Sequence, residues 1–114
     1  MTIHFQKYQG TGNDFIMINA FTDDQAHEFL DQKKIAHLCN RHFGIGADGL
    51  IIIAPSSHCD FKMIYYNSDG RESSMCGNGG RCACRFAHLE GIVKNECSFE
   101  AIDGIHRVII ADEV

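Results

Sequence analysis

The run Leu50-Ile51-Ile52-Ile53-Ala54, stopped by Pro55 and a Ser-Ser-His turn, constrains the fold more than any other stretch of the chain. Apolar at every position, it reads as a fully buried strand. The other apolar segments are equally short. Residues 3–8 alternate apolar and polar like a half-buried strand, and residues 15–18 and 61–66 read as two more. Residues 97–102 and 106–111 predict a final pair, joined by a two-residue hairpin signal at Asp103-Gly104. Helical spacing appears in three places. Thr22 or Asp23 is a candidate cap for a first helix ending before Lys33. Ile35, Leu38, Cys39 and His42 make one face of a second, which Gly44 stops. Residues 81–90 predict a third, with Cys82, Phe86 and Leu89 on one face, Ala83 and Ala87 beside it, and Gly91 at its end. The expectation is mixed α and β structure with more strand than helix.

At 114 residues the chain holds one domain, residues 1–114. Its apolar fraction of 45% and charged fraction of 22% are those of a globular domain rather than a disordered one. Ten Lys and Arg against 15 Asp and Glu leave a formal charge of −5. That balance argues against a general nucleic-acid binder and against docking on an anionic membrane, both of which need clustered cations. The first residues lack a basic segment followed by an apolar run, and no apolar stretch is long enough to span a bilayer. A cytoplasmic location is expected, and with it six free thiols rather than disulfides.

Cys76 carries the strongest chemical signal. It stands in Met75-Cys76-Gly77-Asn78-Gly79-Gly80, immediately before a predicted helix. Unpaired N–H groups and the dipole at a helix start lower a thiol's pKa and hold an anion beside it. Arg81 adds positive charge. Cysteine is more often a small buried hydrophobe than a reactive group, and that reading fits Cys39, Cys59, Cys82, Cys84 and Cys97. At Cys76 the glycines reverse it, because they serve close backbone approach rather than packing. Zinc spacing is missing, with no C-x-x-C and no H-x-x-x-H. Gly44-Ile45-Gly46-Ala47-Asp48-Gly49 matches a bare G-x-G-x-x-G, but a helix precedes it and a strand follows, the reverse of a nucleotide-binding unit. Asn13 and Asn67 sit in turns, where asparagine is more often structural than a ligand contact.

Taken together these segments resemble the diaminopimelate epimerase family. The matching pieces are Gly10-Thr11-Gly12-Asn13-Asp14-Phe15, Leu38-Cys39-Asn40-Arg41, Gly44-Ile45-Gly46-Ala47-Asp48-Gly49-Leu50, Asp60-Phe61-Lys62-Met63, Tyr66-Asn67-Ser68-Asp69-Gly70 and Met75-Cys76-Gly77-Asn78-Gly79-Gly80-Arg81-Cys82. They occur in the family's order over nearly the whole chain. The resemblance implies an α+β fold, a mixed and strongly curled sheet wrapped around a central helix that begins near Asn78. It implies an epimerase that uses no cofactor and interconverts LL- and meso-diaminopimelate, on the route to lysine and peptidoglycan. Cys76 falls on the first of two catalytic cysteines, Gly77 and Asn78 on positions whose N–H groups hold the α-carboxylate, and Asn13 and Asn67 on substrate-contacting positions.

Family members are roughly twice this long, with a second domain that supplies the other cysteine. The chain is therefore expected to be an N-terminal half without its C-terminal domain, inactive or nearly so alone. Its expected partners are a small amino-acid substrate and either a second copy of itself or a complementary C-terminal half. The alternative is a non-catalytic binding or interaction domain of the same fold. Family members also return a C-terminal strand to the first domain, so an unpaired sheet edge is expected here.

Overall fold

The computed structural model describes residues 3–10, 12–74 and 77–109. Its elements are β1 (Gln6–Gly10), β2 (Asn13–Asn19), α1 (Ala26–Phe29), α2 (Gln32–Cys39), β3 (Gly49–Ala54), β4 (Phe61–Asn67), α3 (Gly77–Leu89), β5 (Glu96–Ala101) and β6 (Gly104–Ile109). The six strands form one mixed sheet in sequence order, open at β1 and β6. β1/β2, β3/β4 and β5/β6 are antiparallel, whereas β2/β3 and β4/β5 are parallel.

Parallel neighbours need a crossover. α1 and α2 provide it between β2 and β3, and α3 between β4 and β5. Both crossovers step the same way across the sheet, but β4 runs opposite to β2. A single right hand of crossover then puts the two sets of helices on opposite faces. The core divides accordingly. Phe15, Met17, Ile51, Ile53, Phe61, Met63, Cys97 and Phe99 pack with Cys82, Ala83, Phe86 and Ala87 of α3. Ile16, Ile18, Leu50, Ile52, Ile64 and Tyr66 pack with Ala26, Leu30, Ile35 and Cys39. Helices on both faces explain why Leu50 to Ile53 can all be apolar.

The first helix departs from expectation. Thr22 and Asp23 do not cap it. Their N–H groups turn back to the Asn19 carbonyl, and the helix is the single turn Ala26–Phe29. Asp31 breaks the predicted segment by starting a new helix, its side chain accepting the Lys34 N–H at 2.8 Å. α2 ends at Cys39, leaving His42 in the loop, where its N–H goes to Asn40 Oδ1. α3 starts earlier than the periodicity indicated, at Gly77, and Leu89 is exposed rather than packed. The β5–β6 loop is Ile102-Asp103, because Ala101 pairs with Gly104 and Gly104 (φ +129°) opens β6. The second hairpin is built alike: Gly10 pairs with Asn13, and Gly12 takes φ +90°.

Candidate functional site

Strand register gathers the expected ligand residues at one end of the sheet. Gly49 pairs with Phe15 in β2 and with Asn67 in β4, so the starts of β2 and β3 lie beside the end of β4. Side chains alternate along a strand. Asn13 therefore shares the α3 face with Phe15 and Met17, and Asn67 shares it with Met63. α3 runs along that face in the direction of β2. At the far end of β2, Asn19 donates Nδ2 to Glu90 Oε1 at 3.2 Å, just past the helix. One turn earlier Phe86 meets Tyr8 edge-on at 5.5 Å, beside Phe15. The helix start at Gly77 thus belongs to the Asn13–Asn67 end. Its first turn contains no acidic residue, so the positive end of the dipole is not neutralised from within the helix. Cys76 lies outside the described residues, as does Met75.

Between the two asparagines the floor is aromatic. A Cβ on Gly49 would stand 2.8 Å from Tyr65 Cε1 and 3.3 Å from its hydroxyl. The Tyr65 ring thus leans over Gly49 toward Phe15, with ring centroids 6.0 Å apart. A side chain at position 49 would displace it.

On the opposite face the same end is tied by charge. Asp14 accepts both guanidinium nitrogens of Arg41, Nη2 on Oδ1 at 2.9 Å and Nη1 on Oδ2 at 3.1 Å. Lys7 Nζ donates to Asp14 Oδ2 at 3.0 Å. Asp48 closes the group. Its N–H donates to Asp14 Oδ1 at 3.1 Å and to the Asp14 carbonyl at 2.9 Å. Its own carboxylate accepts the Asp14 N–H at 3.0 Å, Arg41 Nη2 at 3.3 Å and, at the limit of contact, Asn13 Nδ2 at 3.5 Å. The Arg41 guanidinium, helped by Lys7, holds the Asp14 carboxyl well below the usual carboxylate range. The glycine at 46 lies against this arginine, and the glycine at 44 against the end of α2. Gly46 takes φ +84°, and a Cβ there would press on Arg41 Cα and Cγ at 3.1 Å. A Cβ on Gly44 would collide with the His37 carbonyl. Nothing local in the sequence groups Lys7, Asp14, Arg41 and Asp48, because their separations, such as 27 residues from Asp14 to Arg41, follow no local period.

Four of the five cysteines expected to be buried are so, namely Cys39, Cys82, Cys84 and Cys97, while Cys59 is half-buried. Burial pushes the Cys39 thiol up to about 11. Cys84 is raised further, by its hydrogen bond with Cys97 and by burial. Neither thiol ionises near neutral pH. Among the described residues no three His, Cys, Asp or Glu side chains cluster as metal ligands, and no helix is long and apolar enough to cross a membrane.

Comparison with known proteins agrees with this architecture. A family model described as diaminopimelate epimerase matches residues 5–114. A diaminopimelate epimerase from Flavobacterium psychrophilum is 56% identical over 106 residues, 91% of this chain and 40% of that protein. One from Alkaliphilus metalliredigens is 47% identical over 112 residues, 97% of this chain and 39% of that protein. The chain thus spans about 40% of the length of these curated relatives. Among solved structures, methylitaconate-delta-isomerase superposes with a TM-score of 0.74 at 20% identity, over 98% of this chain and 35% of that one. A Bacillus anthracis phenazine biosynthesis protein of the PhzF family does so with 0.66 at 18%, over 97% and 36%. At such identities the likeness is one of fold.

Proposed function

Because the chain belongs to the diaminopimelate epimerase family, we propose that it forms the N-terminal half-site of an epimerase that inverts an α-carbon of diaminopimelate without pyridoxal phosphate or metal. One observation carries this reading. Asn13 and Asn67 lie at the same end of the sheet, on the face that α3 covers, and α3 starts toward that end. Backbone N–H groups at Gly77 and Asn78 would hold the α-carboxylate, and the helix dipole would stabilise the negative charge that gathers there as the α-proton leaves. Cys76, as thiolate, takes that proton onto sulfur. A thiol on the opposite face, from outside this chain, gives its proton to the carbanion. Inversion leaves the two thiols with exchanged protonation. The same reading has a sheet strongly curled about α3, in a cytoplasmic enzyme.

Proton exchange tests it. The reduced chain is incubated with LL-diaminopimelate in heavy water, alone and with a separately expressed C-terminal half of the Flavobacterium relative. Deuterium at the α-carbon and meso product are followed together. The expected result is little or no turnover alone, exchange with inversion in the mixture, and loss of both in Cys76→Ser. Folded, associated halves that exchange no α-proton would overturn the reading.

A further inference from the structure

We propose that Arg41, Asp14 and Asp48 form a clamp that positions Asn13 at the ligand site, making Arg41 a positioning residue rather than an ornament of the surface. The inference rests on the half-site reading above and deepens it.

Exposed ion pairs taken singly contribute roughly 0–1 kcal/mol. This group differs in kind. Asp14 receives four donors, two of them from one planar guanidinium fork, and only 19% of its side chain is exposed. A fork of that geometry defines an orientation as well as an attraction. Its position is equally specific. Asp14 follows Asn13 directly, and strand alternation sends the two side chains to opposite faces. Asp14, Arg41 and Lys7 therefore grip the backbone beneath the site, and Asp48 reaches Asn13 itself. Asp14 and Asp48 exchange main-chain and side-chain bonds in both directions, locking the start of β2 to the entry of β3. Asp48 Oδ2 also accepts Asn13 Nδ2 at 3.5 Å, so the group reaches the amide as well as the backbone beneath it.

Two variants and two kinds of readout test the clamp. Arg41→Lys keeps the charge and removes the fork. In the ¹⁵N-labelled chain alone, it should shift the Asn13 side-chain amide signals, identified by their loss in Asn13→Ala. In the associated halves it should raise KM for LL-diaminopimelate by about tenfold, with a smaller effect on kcat. Added to Asn13→Ala, it should lower kcat/KM by less than about a further twofold, while the losses in melting temperature add. An Arg41→Lys protein with a lowered melting temperature but unmoved Asn13 signals and KM would show a purely structural ion network and overturn the proposal. Full additivity in kcat/KM would do the same. If the unaltered halves turn over no substrate, the half-site reading has failed, and the Asn13 signals still decide the clamp.

Discussion

Gly49 allows the most exact test of the packing that shapes the site. Its φ is ordinary, so Gly49→Ala introduces no backbone strain, only a methyl group. That methyl would stand 2.8 Å from Tyr65 Cε1 and 2.8 Å from the Tyr66 carbonyl oxygen. The tyrosine ring can swing aside, at the expense of its edge contact with Phe15. The carbonyl cannot, because Tyr66 pairs with Leu50 inside the β3/β4 ladder. Overpacking of this kind costs about 1–3 kcal/mol. Replacing glycine stiffens the unfolded chain and returns about 0.4–1 kcal/mol. The central net loss is about 1.3 kcal/mol, which lowers the melting temperature by about 5 °C at roughly 4 °C per kcal/mol. Gly91 is the control with the opposite cause. A Cβ there meets nothing within 4 Å, but φ is +79°. Gly91→Ala therefore loses only to strain, and Gly91→Asn recovers much of that loss because asparagine tolerates this region. Gly49→Asn recovers nothing. Thermal denaturation by circular dichroism of the four variants is sufficient. A Gly49→Ala protein as stable as the parent, or an asparagine rescue at position 49, would refute the steric argument.

Other outcomes follow from the same structure. Phe61 is fully buried and stacks on Phe99 with centroids 5.2 Å apart, so Phe61→Ala should lose about 3–5 kcal/mol in urea denaturation. Asp14 titrates below its unfolded value of about 3.9, so its contribution is present above that pH and fades as the pH falls through the folded value; Asp14→Asn should be less stable near neutrality yet lose less on acidification, as urea midpoints across an acid pH series will measure. Cys39 and Cys84 should resist a disulfide-exchange reagent in the folded chain and react on unfolding, read by mass spectrometry of labelled peptides.

Local pattern is a good guide where one residue's neighbours in sequence are also its neighbours in space. The isoleucine run of β3, the hairpin between β5 and β6 and the helix after the second glycine loop are such cases, and the ordered motifs carried the family with them. The first helix was not such a case. Its pattern continued from Thr22 toward Lys33, yet Asn19 captured the preceding N–H groups and Asp31 capped a rival helix. Leu89 fitted the α3 periodicity but stands exposed, since periodicity cannot say where a helix runs past its sheet.

The site divides in the same way. Residue identity alone made the glycine-rich start of α3 a candidate, because flexible backbone can be read from adjacency, whereas Asn13 and Asn67 read alone as structural turn residues and became candidates through the family resemblance. That they share one end and one face depends on strand register and on the direction of α3, both determined by contacts between distant segments. The grip of Arg41 on Asp14 and Asp48 depends on tertiary structure entirely. Charges 27 and 34 residues apart in the chain meet only after the α1–α2 crossover has laid β2 beside β3, and hydrogen bonds act over ångströms whatever the separation in sequence.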